Sequence, residues 1–402
     1  MILEAYKNKN IDFKQCTGCE MCVQLCPTKA IEMQENAEGF LFPDVDDSKC
    51  VRCGQCAARC PVIAPINAET LNSDVLYSGY EKSLTYQERC SSGGIFGLLA
   101  DRILQSGGVV FGAVFDAETK TIKHVSSDEF TLNDILRSKY VQSRIGNIYK
   151  KVKEVLTTTD KKVLFCGTPC QIEGLIRFLN KEYENLITID FVCHGVPSPG
   201  IFRATLEDEE KKYNAAIKNV TFREKDPNGK GEEYLYLYLY LYLYDGRRIA
   251  YKSQEYFYYY LFLYNCILRN SCMTCTRAES HKADLTLADD WLQKWQKDPS
   301  IGVSLIRINT NKGKQVFASL KDELILRSVN AKERTITAQA HHYIEKNRER
   351  TLQKYCETHS IDTLRKEYKK IRFQNESKKW VMYVLSKCYH TIIPRRNGNG
   401  NK

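Results

Sequence analysis

The sequence predicts an α+β protein in three parts: a small cysteine-rich domain, an α/β region around a mixed sheet, and a helical C-terminal extension. Three observations carry this. Residues 16–27 and 50–61 read CTGCEMCVQLCP and CVRCGQCAARCP, two copies of C-x-x-C-x-x-C-x-x-x-C-P. Residues 162–212 alternate strand-like, loop and helix-like segments, the mark of an α/β layer. From Ala331 the chain turns charged and helix-patterned.

The doubled cysteine run has a specific chemistry. Three cysteines spaced by two residues wrap one iron–sulfur cube with a tight loop, and the fourth reaches the other cube. The spacing therefore assigns Cys16, Cys19, Cys22 and Cys60 to one 4Fe–4S cluster, and Cys50, Cys53, Cys56 and Cys26 to a second. Pro27 and Pro61 turn the chain away after each remote ligand. A zinc site would leave several of the eight cysteines idle. A disulfide framework suits a short secreted chain. Residues 1–75 are thus expected to form a bicluster ferredoxin-type domain. Ala30–Met33 and Phe40–Phe42, either side of Gly39, read as a hairpin within it.

The 402 residues are 43% hydrophobic and 27% charged, ordinary for a globular protein of two or three domains. Met1–Asp12 lacks the apolar region of a secretory signal, and Phe257–Leu268 is too short and too polar to span a bilayer. A cytoplasmic location is expected, where 17 cysteines point to metal rather than disulfides. The formal charge is +10, and two thiolate-ligated cubes would offset several units of it. No nucleic-acid motif accompanies this modest excess, so no nucleic-acid partner is expected.

In chain order, residues 76–200 form the expected α/β part. The turn Cys90–Gly97 holds Gly93 and Gly94 and leads into a helix capped by Ser91 or Ser92. It is either a phosphate cradle or a plain glycine-rich helix entry. Val109–Phe115 reads as a buried strand, Ile148–Leu156 as a helix and Lys162–Phe165 as a strand. The loop Cys166–Cys170 opens a helix over Gln171–Asn180. Strand Leu186–Val192 ends at Cys193–Ser198, and helix Pro199–Lys212 follows. Both loops fall at the carboxyl edge of the sheet, where such folds bind ligands.

Residues 201–335 are β-flavoured. Val220–Arg223 is a strand, and Tyr234–Tyr244 alternates Tyr and Leu with a period of two. The leucines are expected inside and the tyrosines on a wetter face. Asp245-Gly246 marks a hairpin turn to Arg248–Tyr251. Glu255–Leu268 reads as helix and Ile301–Ile308 as strand. Residues 336–402 form the helical, charged extension. Lys378–Pro394, with Trp380, Val384, Leu385 and Ile392, reads first as a docked terminal helix and second as a membrane-surface helix. Arg396–Lys402 reads as a disordered tail.

Five further cysteines lie near these loops: Cys166, Cys170, Cys193, Cys272 and Cys275. They are candidates for a third metal site, iron–sulfur or zinc, with Cys193, Cys272 and Cys275 as its core. Ordinary buried cysteines are the alternative. His194, beside Cys193, is a candidate general acid or base, though loop histidines more often only hydrogen-bond the backbone.

Together CSSGGIFGLLA (90–100), RSKYVQSRIG (137–146), VLFCGTPCQIEGL (163–175), DFVCHGVPSP (190–199), CMTC (272–275) and ADLTLADDW (283–291) resemble the coenzyme F420 hydrogenase/dehydrogenase beta-subunit family, fused behind a two-cluster ferredoxin. The resemblance implies a flavin-binding α/β domain holding FAD. Ser92, Gly93 and Gly94 would cradle its phosphates. Lys139, Tyr140, Gln142 and Ser143 would line it, and Thr168, Pro169, Cys170 and Gln171 would shape the loop beside its ring. Asp289 stands where the family usually shows a Gly-Asp pair, here between Ala288 and Asp290. Members include deazaflavin-reducing hydrogenase subunits and chlorophyll-pathway reductases, and others occur beside surface-polysaccharide genes. The expected function is oxidoreduction: electrons pass between a ferredoxin-like donor, the clusters, FAD and a small organic substrate. The alternative is a relay subunit of a larger redox complex. Either a homo-oligomer or a complex subunit is expected.

Overall fold

The structure is a computed structural model that describes residues 2–66, 75–224, 238–277, 280–298, 300–330 and 345–392. The cysteine-rich module comprises α1 (Ile2–Asn8), α2 (Met21–Leu25), the strands β1 (Ile31–Glu35) and β2 (Leu41–Val45), and α3 (Gln55–Ala58). β1 and β2 form the expected antiparallel hairpin, with Met33 opposite Pro43. Glycine stands at the turn because Gly39 has φ +81°.

Next come β3 (Val75–Glu81), α4 (Ile95–Gln105), β4 (Val109–Asp116), β5 (Thr121–Ser126), α5 (Leu132–Ile135) and α6 (Ile148–Thr158). They are followed by β6 (Val163–Cys166), α7 (Pro169–Leu179), β7 (Leu186–Phe191) and α8 (Pro199–Tyr213). β8 (Ile217–Phe222), β9 (Tyr238–Leu243) and β10 (Arg248–Lys252) make a separate three-stranded sheet, beside which lies α9 (Phe257–Leu263). The chain then returns through β11 (Leu285–Asp289), β12 (Ser304–Ile308), α10 (Asn311–Leu320) and β13 (Leu324–Asn330), and ends in α11 (Glu345–Thr358) and α12 (Ile361–Ile392).

The main sheet has eight strands in the order β13-β3-β12-β11-β7-β6-β4-β5. β4, β6, β7 and β11 run parallel, and the others pair antiparallel. The sheet is mixed, as the sequence predicts. The central strands β6 and β7 are covered on both faces; β6 is apolar on both, while β7 carries buried Thr188 and Asp190 on one face, bonded to Asp284, His281 and Thr286. Ile187, Ile189 and Leu164 pack toward α4, while Phe165, Val163 and Leu186 join the core shared with α6, α7 and the cysteine-rich module.

Two expectations change. The tyrosines of the Tyr/Leu ladder are not uniformly wet, for Tyr240 is 2% exposed. The Arg248 guanidinium lies 4.0 Å over its ring and Tyr238 stacks beside it, so a cation and a ring replace water. The boundary drawn after residue 75 falls at the start of a strand, Val75–Glu81, which lies between β12 and β13. The first part of the ladder (234–237), the helical expectation over 331–344, the side chains of 378–392 and the tail from 393 lie outside the described residues.

Candidate functional site

Cys16, Cys19, Cys22 and Cys60 line one small cavity. The rest of its wall includes Ile2, Tyr6, Met21, Met33, Pro43 and Val62. Four thiols in an otherwise mainly apolar wall fit a cube held away from water, the setting that tunes cluster potential. The local fold delivers them. Gly18 has φ +66°, which lets the loop curl around the cavity, and its amide donates to the Cys16 Sγ at 3.4 Å. The Tyr6 hydroxyl lies 3.6 Å from the Cys60 Sγ. Burial and the thiols of Cys16 and Cys60 push the Tyr6 pKa up, so the phenol stays a donor.

Cys26, Cys53 and Cys56 form a second neighbourhood. Burial holds the Cys56 thiol up, and the thiols of Cys53 and Cys26 add to this. Cys26 accepts from the Ala30 amide at 3.3 Å. Its pKa is lowered on balance: burial opposes ionisation, and the amides of Ala30 and Thr28 with the Thr28 hydroxyl outweigh it. Cys50 is half-buried and Cys53 exposed, so this group faces outward while the first faces the protein.

A third group assembles from separate loops. Cys170 comes from the N-terminus of α7, Cys193 from the loop after β7, and Cys272 and Cys275 from the segment after α9. Burial pushes the Cys193 thiol well up, and the nearby thiols of Cys272, Cys170 and Cys275 push it further. Cys272 is pushed up to about 12 by burial, with Cys275 and Cys170 contributing. Four half-buried thiols within electrostatic reach of one another carry a large cost on ionising unless a cation or metal offsets it. Two arginines stand beside them: Arg269 by Cys272 and Arg277 by Cys170 and Cys275. Cys166 falls outside the group. It sits at the end of β6, pushed up to about 12 by burial, and its carbonyl meets the His124 Nε2 at 3.0 Å. No three His, Cys, Asp or Glu among the described residues converge on a single ion. Thiolates around a cube are spread wider than ligands of one ion.

The third group abuts the first. Cys19 feels the Cys170 thiol. On α7, a Cβ at Gly174 would lie 3.3 Å from the Cys19 Sγ. Buried polar contacts weld this junction. Arg269, 1% exposed, donates to the Cys16 carbonyl at 2.7 Å, the Leu41 carbonyl at 2.9 Å and Gln142 Oε1 at 3.1 Å. Its guanidinium lies 4.2 Å from the Phe42 ring centre. Glu20 accepts from the amides of Ile145 and Gly146, and Gln24 from that of Lys150, so α2 side chains complete the N-terminus of α6. Arg277 pairs with Glu173 and donates to the Pro61 carbonyl.

The residues expected to line a flavin take varied places. Thr168 and Gln171 form a capping box at the start of α7, with Pro169 in its first turn. Gln171 also donates to the Ser143 hydroxyl and carbonyl. Gln142 donates to the Thr17 carbonyl at 2.9 Å, and so holds the cysteine-rich module. The Lys139 ammonium donates to the carbonyls of Asp134, Ile135 and Leu136 at the end of α5, and burial lowers its pKa to about 7. Gly93 is needed for sheet contact: a Cβ there would meet the Gly79 carbonyl at 2.6 Å and the Ser304 amide at 2.9 Å. Gly94, with φ +82°, caps α4. Ser92 donates to the Val303 carbonyl. The glycine turn is thus built to dock α4 on the sheet. The His194 ring packs edge-on to Phe262 at 5.1 Å, which fixes the loop carrying Cys193.

Sequence reasoning missed Arg223, Phe191 and Trp291. Arg223 makes a two-pronged ion pair with Asp289 and donates to the Ser91 carbonyl at 2.9 Å. It lies 5.1 Å over the exposed Trp291 ring. Phe191 and Leu292 are also exposed, so large apolar side chains cluster at the carboxyl ends of β7 and β11. Only an arginine at a strand end hinted at this in the sequence.

Residues 160–334 match the family described as the C terminus of the coenzyme F420 hydrogenase/dehydrogenase beta subunit, and residues 15–64 match the 4Fe-4S dicluster domain. No curated protein matches the chain. Among solved structures, a chain of the F420-reducing [NiFe] hydrogenase complex from Methanosarcina barkeri, studied by xenon derivatization, is similar at 15% identity. That match covers 71% of this chain and 93% of that one, with a TM-score of 0.43. Over residues 160–334 the chain matches the coenzyme F420 hydrogenase/dehydrogenase beta-subunit family, behind an iron–sulfur dicluster module over residues 15–64.

Proposed function

We propose that the chain relays electrons from a ferredoxin-like donor, through three 4Fe–4S clusters, to a flavin that acts on a small organic substrate. The observation that carries this is the convergence of Cys170, Cys193, Cys272 and Cys275 beside the Cys16 cavity. The outer group, with exposed Cys53, is the inlet. The inner group hands on to the third, and the third stands at the sheet edge.

The chemistry of that edge fits a flat, partly anionic cofactor. Phe191, Trp291 and Leu292 offer an apolar platform, and Arg223 a cation anchored by Asp289. A bound flavin would exchange single electrons with clusters and electron pairs with a substrate. The protein's part is to hold thiols at fixed spacing, to exclude water from them, and to offset their charge with Arg269 and Arg277. The arrangement of Ser92–Gly94 supports a role in seating α4 rather than in cradling phosphates. If the apolar edge instead receives a partner protein, the chain is a relay subunit.

Anaerobic purification with iron and flavin quantification tests this. About twelve irons and one flavin per chain are expected. About eight irons would remove the third cluster. A chain that neither holds nor binds added FAD leaves the relay reading.

A further inference from the structure

We propose that the C-terminal extension docks this protein peripherally on an anionic lipid surface through α12. This rests on charge and exposure, and is independent of the redox reading.

The chain's charge is not spread evenly. Residues 331–402 hold 17 Lys or Arg against seven Asp or Glu, an excess equal to the whole chain's +10. Residues 1–330 are balanced at 42 of each. After Glu376 there is no acidic residue, while Lys378, Lys379, Lys387, Arg395, Arg396 and Lys402 follow. Residues 380–385 read WVMYVL and 391–393 read TII, so this basic stretch is also apolar. Basic residues interleaved with large apolar ones are the composition of segments that lie in a lipid interface.

The described part of α12 gives this an orientation. One stripe is buried: Ile361, Leu364, Tyr368 and Ile371, the last at 0% exposure. Asn375 still reaches the Tyr260 hydroxyl at 3.0 Å. The opposite stripe carries exposed Lys366, Lys369 and Lys370. None of the three ammonium groups meets a carboxylate among the described residues, whereas Arg350, Lys354, Arg365 and Arg372 of the same helical pair all do. Beside them stands Phe373, 73% exposed, the most exposed large apolar residue described. This face of α12 therefore presents three cations and one apolar ring to whatever lies against it. An acidic lipid headgroup layer complements the lysines, and its acyl boundary accepts the phenylalanine. The docking is peripheral, because no described helix is long and apolar enough to cross a membrane.

The test is flotation of the full-length, cluster-loaded protein with phosphatidylcholine vesicles, with and without phosphatidylglycerol. Binding is expected only to the phosphatidylglycerol vesicles, and should fall steeply with salt. A Lys366→Glu/Lys369→Glu/Lys370→Glu variant should partition at least about tenfold more weakly, at roughly a kilocalorie per mole for each surface cation. Phe373→Ser should weaken binding with less salt dependence. Unchanged cluster absorbance in both variants shows that they fold. No binding at low salt, equal binding to neutral vesicles, full binding by the charge-reversal variant, or self-association in place of vesicle binding would each overturn the proposal.

Discussion

Arg269 shows how one side chain joins two functions. Its guanidinium ties the Cys16 loop, the β2 strand and Gln142 together, and it also stands beside the Cys272 thiol. Replacing Arg269 with Met would leave the Cys16 and Leu41 carbonyls without their donor, at about 1–3 kcal/mol each. Denaturant unfolding should register a loss on the order of 3 kcal/mol, and a loss below about 1 kcal/mol would deny the arginine this role. His124 gives a pH signature. Burial lowers its pKa to about 4 from the ordinary 6.5. Its Nε2 faces the Cys166 carbonyl, and its buried Nδ1 has no acceptor for a second proton. The folded protein therefore binds fewer protons than the unfolded chain between those values, so stability is full above pH 6.5 and lost as pH falls toward 4. Between about pH 7 and about pH 5 the loss from this residue should be roughly 2 kcal/mol. His124→Gln, which keeps a donor for the carbonyl, should remove that part of the slope in paired urea titrations at the two pH values.

At the scale of elements, α7 is the bridge. Its N-terminus supplies Cys170, and its body presses on α2 through Gly174. An added Cβ there would lie 2.8 Å from the Tyr149 hydroxyl and 3.1 Å from the Cys19 Cβ. Tyr149 is fully buried and donates to the Gln171 carbonyl at 2.8 Å, so it has nowhere to go. Gly174→Ala should cost about 1–3 kcal/mol by overpacking. It should also disturb the inner cluster before the outer one, read by electron paramagnetic resonance. Equal signals from both would contradict the placement. The helix α7 was legible but its start was set two residues late, at Gln171; the capping box of Thr168 and Gln171 and the N1 proline Pro169 are the local signals that fix it. The return strand after Asp245-Gly246 was legible too. β5, β11 and β13 carried no such signal, and their identity depends on partners far away in sequence.

The whole molecule joins two family matches into one body, with α2 packed on α6 and α7 and the inner cavity directed at the sheet edge. If the third thiol group holds a cluster, Cys170→Ser should lower iron from about twelve to about eight per chain and leave the two dicluster signals intact. Iron unchanged at about eight in both proteins would show that Cys170 binds none. The same scale shows the charge: residues 1–330 are formally balanced, and the surplus of positive charge lies in the extension.

The cysteine spacing alone assigned the eight dicluster positions and proposed their pairing, because a cube's ligands are placed by short-range chain geometry. The residue patterning predicted a mixed α and β fold with a charged helical end. The sequence also nominated five further cysteines, Cys166 among them, with Cys193, Cys272 and Cys275 as the core of a group. Only the tertiary structure set Cys170 beside those three and left Cys166 outside. The parallel order of β6, β7 and β11 decides which loops share an edge, and that order comes from long-range pairing. It also gave Gln142 and Lys139 carbonyl partners that no motif foretold. A motif names residue types, whereas the buried groups around each one decide what its hydrogen bonds are spent on.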